Sequence, residues 1–168
     1  PHLTLSQTND KTEEEKWERN YALANQLEEE NKFTEAINLG NLVYNYYAKK
    51  KDTITAAKIK STVALSQYKS GKIQESITTY QFITQYLGNK EPLTKAIVYN
   101  QMGNIWADEM NNHSKALEYY EQSLTLKLKN NASPQSIANS YNNIGLSYRY
   151  LLDSAKAVQS YQTAILYI

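Results

Sequence analysis

Ala96-Ile97-Val98-Tyr99-Asn100-Gln101-Met102-Gly103-Asn104-Ile105-Trp106 and Ala138-Asn139-Ser140-Tyr141-Asn142-Asn143-Ile144-Gly145-Leu146-Ser147-Tyr148 are two versions of one segment. Tyr99 and Tyr141, Gly103 and Gly145, and Trp106 and Tyr148 each stand 42 residues apart. Three landmarks at one offset mark an internal repeat, and a period in this range belongs to arrays of supersecondary units. Within the later copy, Ile137, Tyr141, Ile144, Tyr148 and Leu151 step by four, three, four and three. That spacing follows one face of a helix and not the alternation of a strand.

Outward from these segments a second motif recurs. Ala36-Ile37, Ser76-Ile77, Ala116-Leu117 and Ala157-Val158 are spaced by 40, 40 and 41 residues. Each follows a short polar turn: Glu30-Asn31-Lys32, Ser70-Gly71-Lys72, Asn111-Asn112-His113 and Asp153-Ser154. The pattern predicts four helical pairs. First helices are expected at about 12–30, 53–70, 92–109 and 134–151, and second helices at about 33–49, 73–88, 114–129 and 154–168. The units then span about 12–49, 53–88, 92–129 and 134–168, after a leader at 1–11. Pro92 and Pro134 open helices, where a missing N–H costs nothing. Ser133 is the expected N-cap of one helix, and Thr53 or Asp52 that of another.

Composition agrees with an all-helical chain. The 168 residues include only five Gly and three Pro, too few for a sandwich or barrel with many tight turns. Cysteine is absent, which removes disulfides and thiolate chemistry. A net charge of +1 gives no global field toward nucleic acid or an anionic membrane. No run reaches the roughly 18 apolar residues that a membrane span needs. Residues 1–7 read either as the tail of a secretory signal or as a disordered leader, so the compartment stays open between cytoplasmic and extracytoplasmic.

The repeated residues resemble the tetratricopeptide pattern of a bulky residue, Leu-Gly, Tyr, Ala and an aromatic. Tyr141, Ile144-Gly145, Tyr148, Ala157 and Tyr161 fill it in the fourth unit. Tyr99, Met102-Gly103, Trp106, Ala116 and Tyr120 fill it in the third, with one extra residue in the turn. Ala64, Gly71, Ser76 and Tyr80 match in the second, with the first-helix aromatic shifted to Tyr68. Ala24, Leu27, Ala36 and Ile37 match in the first, where Gly40 replaces the aromatic. The repeats are longer than the usual ~34 residues, and in this they resemble the kinesin-light-chain type and the arrays of bacterial sensor and scaffold proteins.

The resemblance implies an all-α, right-handed solenoid of about four helix-turn-helix repeats. It also implies a concave groove, lined by the first helices, that holds a peptide or protein ligand. The implied groove residues are Tyr21, Asn25, Glu28 and Glu29 from the first unit, with Lys58, Ser61, Tyr68 and Lys69 from the second. Asn100, Asn104 and Asp108 follow from the third, and Asn139, Asn142, Arg149 and Tyr150 from the fourth, while Asn143 is expected to face a neighbouring helix. An asparagine amide donates and accepts at once, which suits a peptide backbone.

Chemistry of other kinds finds no support. The two histidines, His2 and His113, are far apart in sequence. No glycine-rich phosphate loop, His-Glu-x-x-His or cysteine nucleophile is present. The glutamates at 13–15 and 18 suit a helix N-terminus, and Lys49-Lys50-Lys51 suit a C-terminus. No Arg-rich groove accompanies them to suggest nucleic acid. No catalytic residue, metal or cofactor is therefore expected, and the chain reads as an interaction module of a larger signalling protein. The alternative is a structural array, packing in cis on an effector such as a histidine kinase or CHAT-type protease, or self-associating through its C-terminal end. Ile165, Leu166, Tyr167 and Ile168 are apolar, where a terminal repeat needs a polar cap. On this ground the natural protein is expected to continue beyond them.

Overall fold

A computed structural model describes the backbone of residues 5–168 and the side chains of residues 12–168. The start of the expected leader, residues 1–4, lies outside the described residues. Among the described residues there are eight helices and no strand: α1 (Leu5–Glu29), α2 (Phe33–Lys49), α3 (Thr53–Lys69), α4 (Ile73–Leu87), α5 (Pro92–Asp108), α6 (His113–Lys129), α7 (Pro134–Tyr150) and α8 (Ser154–Ile165). Each odd-numbered helix and its successor form one helix-turn-helix pair. α1 begins at Leu5, ahead of the expected start near residue 12.

The helix ends have local causes. Asp52, Asn112, Ser133 and Asp153 each accept a backbone N–H three residues on, from Thr55, Lys115, Ser136 and Lys156. These bonds satisfy orphan donors of the first turn. At the other ends, Asn31, Lys51, Gly71, Asn111, Asn131 and Leu152 all take the left-handed conformation. After α1, Asn31 donates to the Glu28 carbonyl and Lys32 to the Leu27 carbonyl. After α7, Leu152 donates to Arg149 and Asp153 to Tyr148 in the same way. This paired back-bonding closes a helix and reverses the chain.

By contacts the chain divides into two compact units, one ending at Thr79 and the other Tyr80–Ile168, with the division inside α4. In the first unit, Ala24, Ala36, Val43, Ile59, Val63 and Ala64 are fully buried. A Cβ built on Gly40 would stand 2.6 Å from Val63 Cγ2. The aromatic of the pattern is missing at Gly40 because the valine of α3 occupies that space. Ser76 is buried, and its hydroxyl donates to the Ala64 carbonyl at 2.7 Å, which ties α4 to α3.

The second unit uses the opposite fit. A Cβ on Gly103 would stand 2.6 Å from Tyr120 Cδ1, and one on Gly145 would stand 2.8 Å from Tyr161 Cε1. The missing side chain on the first helix is the seat for the tyrosine ring of its pair. Ala116, Leu117, Tyr120, Leu124, Ile137 and Ile144 form the core here, with Trp106, Tyr141, Tyr148 and Tyr167 packed on it. Burying such surface contributes on the order of 25 cal/mol per Å² of apolar area. The buried Lys127 links α6 to α7, donating to Ser140 Oγ at 2.7 Å and to the Ser136 carbonyl at 3.1 Å. Burial pushes its ammonium below the ordinary lysine value.

Candidate functional site

The exposed faces of the first helices carry most of the polar residues that the sequence singles out. In the second unit these helices are α5 and α7. Asn143 Nδ2 donates to Asn100 Oδ1 at 3.1 Å, so an amide pair joins the two helices. Asn143 thus faces a neighbouring helix, as expected. Asn104 is anchored from below: its Oδ1 accepts the Tyr120 hydroxyl at 2.9 Å, and its Nδ2 donates to Gln101 Oε1 at 3.2 Å. The core tyrosine therefore sets the orientation of a surface amide. Asn139 accepts from Gln135 Nε2 at 3.0 Å, and both Asn139 and Asn142 are exposed. Arg149 is exposed, its guanidinium carbon 5.5 Å from the centroid of the Tyr150 ring.

At the C-terminal end of these two helices, a cavity of about 310 Å³ opens between α5, α6 and α7. Asp108 and Tyr150, both expected on this face, line it. His113 and Tyr120 join them from α6, with Asn111 from the preceding turn and Asn143, Leu146 and Ser147 from α7. The His113 and Tyr150 rings stack with centroids 4.2 Å apart and planes 1° from parallel. Asn100, Asn104, Asn139, Asn142 and Arg149 do not line this cavity, so the expected residues of this unit fall into an amide row and a hollow that adjoins it at Asn143 and Tyr120.

In the first unit the corresponding helices are α1 and α3. Thr62 donates its hydroxyl to Asn25 Oδ1 at 2.8 Å, again bridging successive first helices. Tyr21 is half-buried, and burial pushes its hydroxyl above the ordinary value, partly offset by its hydrogen bond with Asn25. Glu28 is only 8% exposed and forms an ion pair with Lys69 at 2.5 Å. Within this pair the two charges neutralise one another. Glu29 and Lys58 are exposed, and Tyr68 is half-buried. The Ser61 hydroxyl donates to the Ala57 carbonyl at 3.0 Å within its own helix.

His113, Tyr120 and Leu146 line the cavity although the sequence does not assign them to the groove. His113 reads as a turn residue there, because its partner Tyr150 comes from a different unit of the repeat. Among the described residues, no group of three or more His, Cys, Asp or Glu side chains could hold a metal ion. No helix among them is long and apolar enough to cross a membrane.

No family model and no curated protein matches the sequence. Solved structures do match the backbone. BtubC (BKLC) from P. vanneervenii aligns with a TM-score of 0.78 at 18% identity, over 88% of this chain and 61% of that one. A Rap protein complexed with Competence and Sporulation Factor aligns with a TM-score of 0.79 at 15% identity, over 91% of this chain and 43% of that one. The TPR-like repeats of a putative kinesin light chain from Podosopora anserina align with a TM-score of 0.72 at 13% identity, over 90% and 74%. The chain thus spans less than two thirds of the length of the first two. The fold of this chain is that of tetratricopeptide-like helical repeats, the pattern its sequence resembles.

Proposed function

We propose that this chain is a protein-interaction module that holds an extended peptide, or an exposed segment of a partner protein, along the groove-lining faces of its first helices. The observation that carries this reading is the amide row of the second unit. Asn143 is spent on Asn100, Asn104 is held by Tyr120, and Asn139 and Asn142 remain exposed beside them. Amides held in place lose less freedom when they pair with a ligand's backbone. Each can donate and accept, the complement of a peptide group. The Rap protein, similar in backbone, was solved with a factor bound to it, which supports the same use here. In line with the family resemblance, the module serves as a sensor or scaffold within a signalling protein.

Titration of the folded chain with an array of extended peptides tests this. Asn142→Ala is expected to weaken the best binder about tenfold, and Asn100→Ala similarly, since each removes hydrogen bonds worth roughly 1 kcal/mol apiece. Binding that is unchanged in both variants places the ligand elsewhere and sinks the reading.

A second reading, self-association, is favoured by the outer side of α8 and the residues after it. Val158, Ile165, Leu166 and Ile168 are 53%, 69%, 83% and 82% exposed. Light scattering over a dilution series is expected to show dimers that dissociate on dilution. A mass independent of concentration rules it out.

A further inference from the structure

The two units treat the same place in the repeat differently. Glu28 stands four residues after the small residue Ala24, as Ala107 stands four after Gly103. Lys69 stands five residues after Ala64, as Tyr150 stands five after Gly145. In the first unit this place holds an ion pair, in which the Lys69 ammonium rests on the largely buried Glu28. In the second unit the short Ala107 side chain and the flat Tyr150 ring leave the cavity of about 310 Å³.

One carboxylate and the stacked rings of His113 and Tyr150 border that cavity. Asp108 is exposed and forms no ion pair among the described residues. His113 Nδ1 is buried without a hydrogen-bond partner. The Tyr150 ring, more than half exposed, offers a face with negative charge density. It already draws one guanidinium, that of Arg149, which lies outside the lining. No lysine or arginine lines the cavity.

We propose that this cavity takes the cationic side chain, arginine or lysine, of a bound peptide. The ligand brings a cation to Asp108, near the place where the first unit carries its own in Lys69. This selectivity rests on the peptide-binding reading above and gives that reading its ligand class. The guanidinium or ammonium meets the Asp108 carboxylate, while its aliphatic stem lies against Tyr150 and Leu146.

The test uses alanine pentapeptides with arginine, lysine, norleucine or glutamate at the centre, followed by NMR of the His113 ring and of the asparagine side-chain amides. Saturable shifts of the His113 ring with the arginine and lysine peptides, at least tenfold weaker with norleucine and absent with glutamate, are expected. Asp108→Asn is expected to weaken the cationic peptides about tenfold and leave the norleucine peptide unchanged. The paired change Ala107→Glu with Tyr150→Lys installs the ion pair of the first unit and is expected to abolish the preference, in a protein whose far-ultraviolet circular dichroism is unchanged. Equal binding of arginine and norleucine peptides, with shifts at Asn100 and Asn142 but none at His113, overturns the cation site and leaves the peptide surface standing. No binding of any peptide at millimolar concentration overturns both.

Discussion

Leu152 is the plainest case of a residue whose backbone overrides its side chain. It sits at φ +63° and is 88% exposed, so it carries the cost of a left-handed conformation and gains almost no packing in return. Leu152→Gly is expected to raise stability by about 1 kcal/mol, read as a higher urea midpoint, because glycine meets that φ without steric cost. A midpoint that falls would show that the turn is unstrained. Asp52 and Asp153 make a second prediction at this scale. Burial works to raise the Asp52 carboxyl, but hydrogen bonds from the Thr55 hydroxyl and from the Thr55 and Ile54 amides outweigh it and hold it low. The Lys156 amide, then its ammonium, does the same for Asp153. A carboxyl depressed in the folded state binds fewer protons there than in the unfolded chain. Its stabilisation is present above the unfolded value of about 4 and is lost as pH falls through the depressed values. Urea midpoints measured from pH 6 downward are expected to drop below pH 4. The pair of changes Asp52→Asn and Asp153→Asn, which keeps a capping oxygen, is expected to flatten that drop. An identical slope in the variant would remove the two caps as its cause.

Between helices, the decisive quantity is the room left by small residues. Tyr120 lies on Gly103 so closely that even a methyl group must displace the ring. Gly103→Ala is therefore expected to cost about 1–3 kcal/mol by overpacking, although alanine is the better helix former. The same displacement would pull the Tyr120 hydroxyl from Asn104, 2.9 Å away, and so reach the surface amide row. Peptide affinity is expected to fall along with stability in this variant. Unchanged affinity in a destabilised protein would separate the core from the proposed binding face. Gly40 offers the contrast: its neighbour Val63 belongs to the next helix pair and not to its own, so Gly40→Ala should be relieved by Val63→Ala. The two glycines look alike in sequence and answer to different helices.

For the molecule as a whole, local packing in consecutive helices predicts that distant core changes act separately. Val63→Ala in the first unit and Ile144→Ala in the second are expected to cost about 2–4 kcal/mol each, and their sum should match the double variant within about 0.5 kcal/mol. A larger discrepancy in chemical denaturation would reveal coupling through the array. The helices themselves were legible in the amino acids. Thr53–Lys69 against an expected 53–70, and Pro134–Tyr150 against 134–151, follow from proline, capping residues and helical spacing. Those signals are local, and local chemistry decides them. The small positions were legible too, since glycine and alanine recur at fixed offsets. What stayed hidden was which side chains pair between successive helix pairs: Asn143 with Asn100, Lys69 with Glu28, His113 with Tyr150. Each depends on which rotamer two helices leave open, and no spacing rule encodes that.

The turn between α5 and α6, Glu109 to Asn112, is one residue longer than the turns at 30–32, 70–72 and 151–153. The helices on either side keep their fit, with Asn112 bonding back to the Trp106 carbonyl. A turn of this sort thus holds an extra residue without disturbing the helices it joins, which leaves the period of such an array free to drift. Divergence should accumulate in the turns and spare the glycine, alanine and serine contacts, so that ancestry fades from the letters long before it fades from the shape.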